Sequence, residues 1–278
     1  MNEINEIKIY LAHRTSTRFI EQQVNLIRKY FKHNDDSILK IYGFVDCPIN
    51  PDNMTQLWLK LGVEPIEIPQ IIDNINRCNA CVSVSFGLAF NYVYKNYILT
   101  DKHISIIMEN DVFPFKEINI DNYVKNYEIC GDIRFNASFL PIRITHFWLG
   151  FIIFNNKIMT DREKFSGLCT EIIPRNSNNK YWTDCGGTSY YWINAKPRNI
   201  RQMVTNGNEN YDGFTSLQCT PHNITYDIQN LPVVFRENYN PHYRVLVYDN
   251  CLIHLERMGK EDQNAKFDWW VNCYNKII

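Results

Sequence analysis

Two carboxylates separated by a single residue, Glu109 and Asp111, stand directly after the apolar run Ile104–Met108 (ISIIM) and before Val112-Phe113-Pro114. A short continuous apolar run of this kind reads as a strand buried on both faces. Acidic side chains at its end repel one another and are costly to remove from water. A divalent cation cancels both penalties, and Mg²⁺ or Mn²⁺ favours carboxylate oxygen while leaving open positions for phosphate. The same Glu-Asn-Asp triplet also fits a polar turn that closes a strand, so taken alone it leaves both readings open.

The elements before it order the first half of the chain. Ile7–Leu11 (IKIYL) alternates and is β-prone. From Arg18 to His33, Ile20, Val24, Ile27 and Phe31 recur at helical spacing, with Thr17 placed to cap the helix. Ile38–Val45 (ILKIYGFV) reads as a second strand ending on Asp46, and Pro48 and Pro51 then break the chain. A short helix is expected over Met54–Leu61, an extended segment over Val63–Ile68, and a well-buried helix or helix pair over Ile71–Tyr97. Later, Tyr127–Cys130, Thr145–Phe154 and Val245–Ile253 read as strands.

Strands separated by helices predict an α/β fold: one Rossmann-like domain with a mixed, mainly parallel central sheet flanked by helices. Ligands of such sheets bind beyond the carboxyl ends of the strands. The loops after Leu11, Val45 and Met108 should therefore share one crevice, which places Arg14, Asp46 and Glu109–Asp111 on the same side.

Composition sets the outer bounds. With 278 residues, 45% hydrophobic and 21% charged, the chain is long enough to bury its own core and is not biased toward disorder. A formal net charge of −1 supplies no general field toward nucleic acid or an acidic membrane. No stretch approaches the roughly 18–20 apolar residues of a membrane span, and the charged N-terminus is unlike a secretory signal. Nine cysteines at irregular spacing contain one close pair, Cys78 and Cys81, and no second pair to complete a zinc site. These two and Cys185 are read as structural thiols in a reducing, cytoplasm-like compartment.

The run Ser83–Phe115, a helix leading into an apolar strand that ends Glu109-Asn110-Asp111, resembles the centre of GT-A glycosyltransferases, where a D-x-D motif ends such a strand. Here Glu replaces the first Asp. Three further pieces follow in the family's order. His146–Asn155 (HFWLGFIIFN) is similar to the segment under the sugar site, Asp184-Cys185-Gly186-Gly187 resembles a D-x-G-G loop, and Cys251–Gly259 (CLIHLERMG) resembles the late strand that brings a His to the metal. The similarity runs over about residues 7–260.

The resemblance implies a nucleotide-sugar-binding half over about residues 1–115 and an acceptor-binding half over about 116–278. It implies Mn²⁺ or Mg²⁺ ligated by Asp111, with Glu109 binding the ion through water or else the donor ribose, His254 reaching the metal and diphosphate, and Asp184 facing the acceptor or the reacting sugar. Asp46 would hold the uracil or ribose of a UDP-sugar, Arg14 and Lys260 its phosphates, Trp148 the sugar face, with Gly186 and Gly187 in the donor loop. Each of these has a plainer alternative: a solvated Arg or Lys, a core Trp, a strand-end His, a turn acid. The implied activity is hexosyl transfer to a hydroxyl of a glycan, a protein or a modified nucleobase, in a soluble protein of the cytoplasm, the host's if the source is a virus. A catalytically inactive binding protein on the same fold, or a nucleotidyltransferase, are the rival readings. The second is disfavoured because His13–Thr17 contains no glycine for a phosphate-binding loop.

Overall fold

The computed structural model describes residues 5–14, 17–34, 37–46, 51–72, 75–76, 82–136, 144–169, 171–172, 181–203, 205–206, 233–240, 243, 245–255 and 263–278. In chain order the main elements are β1 (Asn5–His13), α1 (Ile20–Tyr30), β2 (Ser37–Val45), α2 (Pro51–Lys60), β3 (Glu64–Ile66), α3 (Val82–Val93), β4 (Ile104–Glu109) and β5 (Val112–Pro114). Then come β6 (Ile129–Asn136), β7 (Ile144–Asn155), α4 (Ser189–Ala195), β8 (Ile200–Gln202), β9 (Thr205–Asn206), β10 (Val245–Tyr248), β11 (Leu252–Leu255) and α5 (Gln263–Ile277).

Seven strands form the central sheet in the order β8-β6-β7-β4-β1-β2-β3. β1 runs parallel to β2 and β4, β2 to β3 and β6 to β8, while β7 is antiparallel to both neighbours. The mixed, mainly parallel α/β sheet expected from the sequence is therefore present. Alternation along its strands divides the core. Ile7, Ile9, Leu11, Ile104, Ile106 and Met108 pack with Ile20, Val24 and Ile27 of α1 and with Trp58 of α2. Tyr10, Ala12 and Ile107 pack with Phe86, Phe90 and Val93 of α3. Helices on both faces bury β4 from Ile104 to Met108, which is why that stretch is apolar but for Ser105, whose hydroxyl donates to Asp101 Oδ2 at 3.3 Å.

A second sheet, β9-β10-β11-β5, is antiparallel throughout. The chain leaves β4 at Glu109, turns over Asn110 and Asp111, and enters this sheet as β5, which pairs with β11 so that Val112 lies opposite His254. Phe113, Ile253 and Leu255 bury its inner side against Trp269, Trp270 and Cys273 of α5. The Phe113 and Trp270 rings lie 4.4 Å apart. Burying an indole contributes roughly 4–6 kcal/mol before entropy is counted, so α5 clamps the second sheet.

Several sequence expectations are corrected. Val245–Ile253 is a hairpin rather than one strand, turning at Asp249 (φ 48°) and Asn250 (φ 54°). Asp and Asn tolerate this left-handed conformation because their short polar side chains hydrogen-bond locally. The segment 71–76 holds two short extended pieces, Ile71–Ile72 and Ile75–Asn76, not helix, and α3 is prolonged by a π-helical turn over Tyr94–Ile98. Thr17 makes no side-chain cap: Phe19 is the N-cap, and the Thr17 carbonyl accepts from Ile20 N at 3.3 Å. The strand expected over Tyr127–Cys130 is displaced to β6. Cys78, Cys81 and Lys260 lie outside the described residues.

The hairpin turn yields a direct test. Asn250→Val forces a β-branched side chain into the left-handed region and should lower stability by about 1–2 kcal/mol, whereas Asn250→Gly should be neutral or better. Urea unfolding of the two variants checks this, and equal midpoints would contradict the assigned turn.

Candidate metal and ligand site at the carboxyl edge of the sheet

β1, β2 and β4 are parallel neighbours, so their carboxyl ends open on one edge. Ala12 is in register with Glu109, and the Asp46 amide donates to the His13 carbonyl at 3.0 Å. Arg14 and Asp46 do reach this edge, and they bind each other, with Arg14 Nη1 2.8 Å from Asp46 Oδ2. Ser85 of α3 also donates to the Asp46 carbonyl at 2.6 Å.

The turn after β4 is fixed from both sides. Gln23 of α1, fully buried, donates through Nε2 to the carbonyls of Glu109 (2.6 Å) and Val112 (2.8 Å). Leu255 donates its amide to the Asp111 carbonyl at 2.9 Å. Held in this way, Glu109, Asp111 and His254 bring one carboxylate oxygen each and an imidazole nitrogen to within 4.8 Å of one another. His254 Nε2 stands 3.5 Å from Asp111 Oδ1. Asp111 Oδ1 and His254 Nδ1 are buried without a hydrogen-bond partner. Orphaned polar atoms of this kind are uncommon in folded proteins. The three residues form a group that could hold a metal ion.

Trp148 lies behind this group, 7% exposed, and its ring is fully engaged. It sits 4.6 Å from the His254 ring and stacks on Tyr248 at 5.3 Å, and the Arg134 guanidinium lies 4.6 Å from its centroid. Gly150 permits this packing. A Cβ there would stand 1.9 Å from Trp148 Cζ2 and 2.7 Å from Glu109 Oε2. The indole is thus a wall of the site.

Asp184 sits in a loop docked on β7. Gly186, at φ +94°, donates its amide to the Gly167 carbonyl at 2.9 Å, and a side chain there would strike the Phe147 carbonyl; one on Gly187 would strike Thr183. Ser189 accepts from the Phe147 amide at 2.8 Å. Both glycines are accounted for by this docking. Asp184 Oδ1 accepts from the Cys185 amide at 2.7 Å.

The electrostatics show that these acids converge. Glu109 retains a little accessible surface, yet burial pushes its carboxyl well above the ordinary value of 4.5, Asp111 pushes it further, and Asp184 and Asp46 add to the rise. Arg134 is the main influence that opposes it. Burial likewise raises the Cys185 thiol, with Asp184 and Glu109 contributing.

Arg134 and Gln23 were missed by the sequence reading. Arg134 Nε binds Asp132 Oδ2 at 3.1 Å, and Nη2 donates to the Tyr248 hydroxyl at 3.3 Å. The available signal was Asp132-Ile133-Arg134, opposite charges two residues apart in an apolar setting, which a strand presents on one face. Gln23 carried no comparable signal.

No protein-family model matches the chain, and no curated protein matches it significantly. Among solved structures it is similar to the apo form of the glycosyltransferase GlyE of Streptococcus pneumoniae TIGR4, at 18% identity over 55% of this chain and 34% of that one, with a TM-score of 0.33. A second GlyE structure gives 16% identity over 55% and 35%, with a TM-score of 0.32. The chain thus spans about a third of the length of those proteins. A likeness this partial assigns no chemistry to the residues above.

The raised Glu109 has a measurable consequence. Folding lifts its pKa above the unfolded value, so its contribution to stability is most favourable below about 4.5 and is lost as pH rises through the folded value. Glu109→Gln should therefore melt a few degrees higher than wild type at neutral pH in chelator, the gap closing as the solution is made acid. Melting points that are equal at every pH would show that Glu109 is not desolvated.

Proposed function

We propose that this chain is a metal-dependent glycosyltransferase of GT-A type, which moves a hexose from a nucleotide-sugar, a UDP-sugar in the first instance, to an acceptor hydroxyl. The observation that carries the reading is the Glu109–Asp111–His254 group, with its orphaned Asp111 oxygen, at the carboxyl end of the central strand. Two carboxylates and one imidazole suit Mn²⁺ better than Mg²⁺, which prefers oxygen alone. When bound, the ion offsets negative charge on the leaving nucleoside diphosphate.

In this reading the donor lies over the edge formed by residues up to about 115, and the acceptor approaches from the later half, on the side of Asp184. The bond from the anomeric carbon to the diphosphate oxygen breaks as the acceptor oxygen bonds to that carbon. An inverting path needs a base, and in this reading Asp184 takes the hydroxyl proton. Arg14 and Asp46, already paired, would hold the ribose and phosphate side, and their ion pair would open or lend its remaining donors to the nucleotide. Lys260 is assigned to phosphate by resemblance alone. The acceptor classes remain a glycan, a protein hydroxyl or a modified nucleobase.

No helix among the described residues is long and apolar enough to cross a membrane. Cys130, Cys185, Cys251 and Cys273 are free thiols, in keeping with a reducing, cytoplasm-like setting.

The test is a panel of nucleotide sugars incubated with Mn²⁺ and read for hydrolysis, then for transfer to acceptors with the best donor. Wild type should turn over at least one donor, and Asp111→Ala should lower that turnover by at least about a hundredfold with little change in melting temperature. Undiminished turnover in Asp111→Ala would reject the metal role. Mn²⁺-enhanced UDP binding with no turnover of any donor would make the chain a binding protein.

A further inference from the structure

We propose that Arg134 couples the divalent cation to the diphosphate: its fixed positive charge weakens the hold on the bare ion and strengthens the hold on the ion together with the anion. This rests on the metal reading of Glu109, Asp111 and His254.

The geometry makes the charge both close and immobile. The Arg134 side chain is 11% exposed. Its Nε is tied to Asp132, whose other oxygen accepts from Gln202 Nε2 at 3.1 Å, and Gln202 is itself fixed by the Ile133 amide at 2.8 Å. Its Nη2 is tied to Tyr248, and its plane lies against Trp148. The guanidinium therefore cannot swing away when a cation arrives. One indole ring separates it from a candidate ligand: Trp148 lies between Arg134, 4.6 Å from its centroid, and the His254 ring, also 4.6 Å away. Little water can enter between packed groups of this kind, so the field is screened weakly.

Two carboxylates already balance the charge of a divalent ion. Arg134 shares its charge with Asp132, and the part that remains is positive charge that the ion must work against. A diphosphate reverses the sign of that effect, because the ion and Arg134 then attract the same anion. Linkage requires that each ligand tighten the other by the same factor.

The experiment is Mn²⁺ binding followed by electron paramagnetic resonance, with and without UDP, on wild type, Arg134→Met and Arg134→Lys. Arg134→Met should bind Mn²⁺ alone about threefold more tightly than wild type, while the enhancement produced by UDP falls by about fivefold or more. Arg134→Lys, which keeps the charge, should stay near wild type. Weaker binding of Mn²⁺ alone by Arg134→Met would mean that Arg134 merely props Trp148 and His254, and would overturn the proposal, as would an unchanged enhancement by UDP. If Arg134→Met does not fold, Arg134→Gln, which retains a donor toward Asp132, is read by the same criteria. Failure of wild type to bind Mn²⁺ even with UDP would instead overturn the metal reading beneath it.

Discussion

Two like charges held out of water at the end of a buried strand govern how the rest of this molecule is built. Glu109 closes β4, which is covered on both faces, and Asp111 follows two residues later. Neither carboxylate can leave, because the backbone between them is gripped by Gln23 from α1 and by the amide of Leu255 from β11. A protein that wanted only a turn here would place the acids in solvent. This one instead packs an indole and an imidazole against them and leaves an Asp111 oxygen without a hydrogen bond. Arrangements of that kind are stable when a positive charge is expected at the same point.

The second sheet explains how a residue so far along the chain joins the pair. β5 departs from the acid turn in register with β11, and the left-handed hairpin at Asp249 and Asn250 returns β11 along β10, so His254 comes to lie across from Val112. α5 then presses the sheet from outside through Trp269 and Trp270. Position at the site is thus set by strand register and a clamped aromatic core, both rigid, rather than by a loop.

Much of this was legible in the sequence, for physical reasons. β1, β2 and β4 are local and strongly patterned, and their parallel order alone put Arg14, Asp46 and the acid pair on one edge. Elements whose identity depends on a turn were less legible. Val245–Ile253 is apolar enough to pass for one strand, and the Asp249-Asn250 turn shows only in the backbone angles. Apolar content at 71–76 suggested helix where short extended pieces form, because periodicity is uninformative over so few residues. The long-range contacts were hidden altogether. Arg134 reaches Trp148 and Tyr248 only because β6 and β7 pair and the second sheet folds over them. Gln23 looks like any polar residue on an amphipathic helix until its two carbonyl partners are seen. Trp148, open in a sequence reading to stack on a sugar, proves to be already stacked on Tyr248.

The central physical claim is that a cation belongs among Glu109, Asp111 and His254, where burial and Asp111 disfavour the charged form of Glu109. It is tested most directly by counting protons released as Mn²⁺ is titrated into the full chain with UDP present, from mildly acid to neutral pH, by calorimetry in buffers of different ionisation enthalpy. Release of close to one proton per ion at the acid end, absent in Glu109→Gln, is the expected result. Binding with no proton released, or no binding at all, would contradict it.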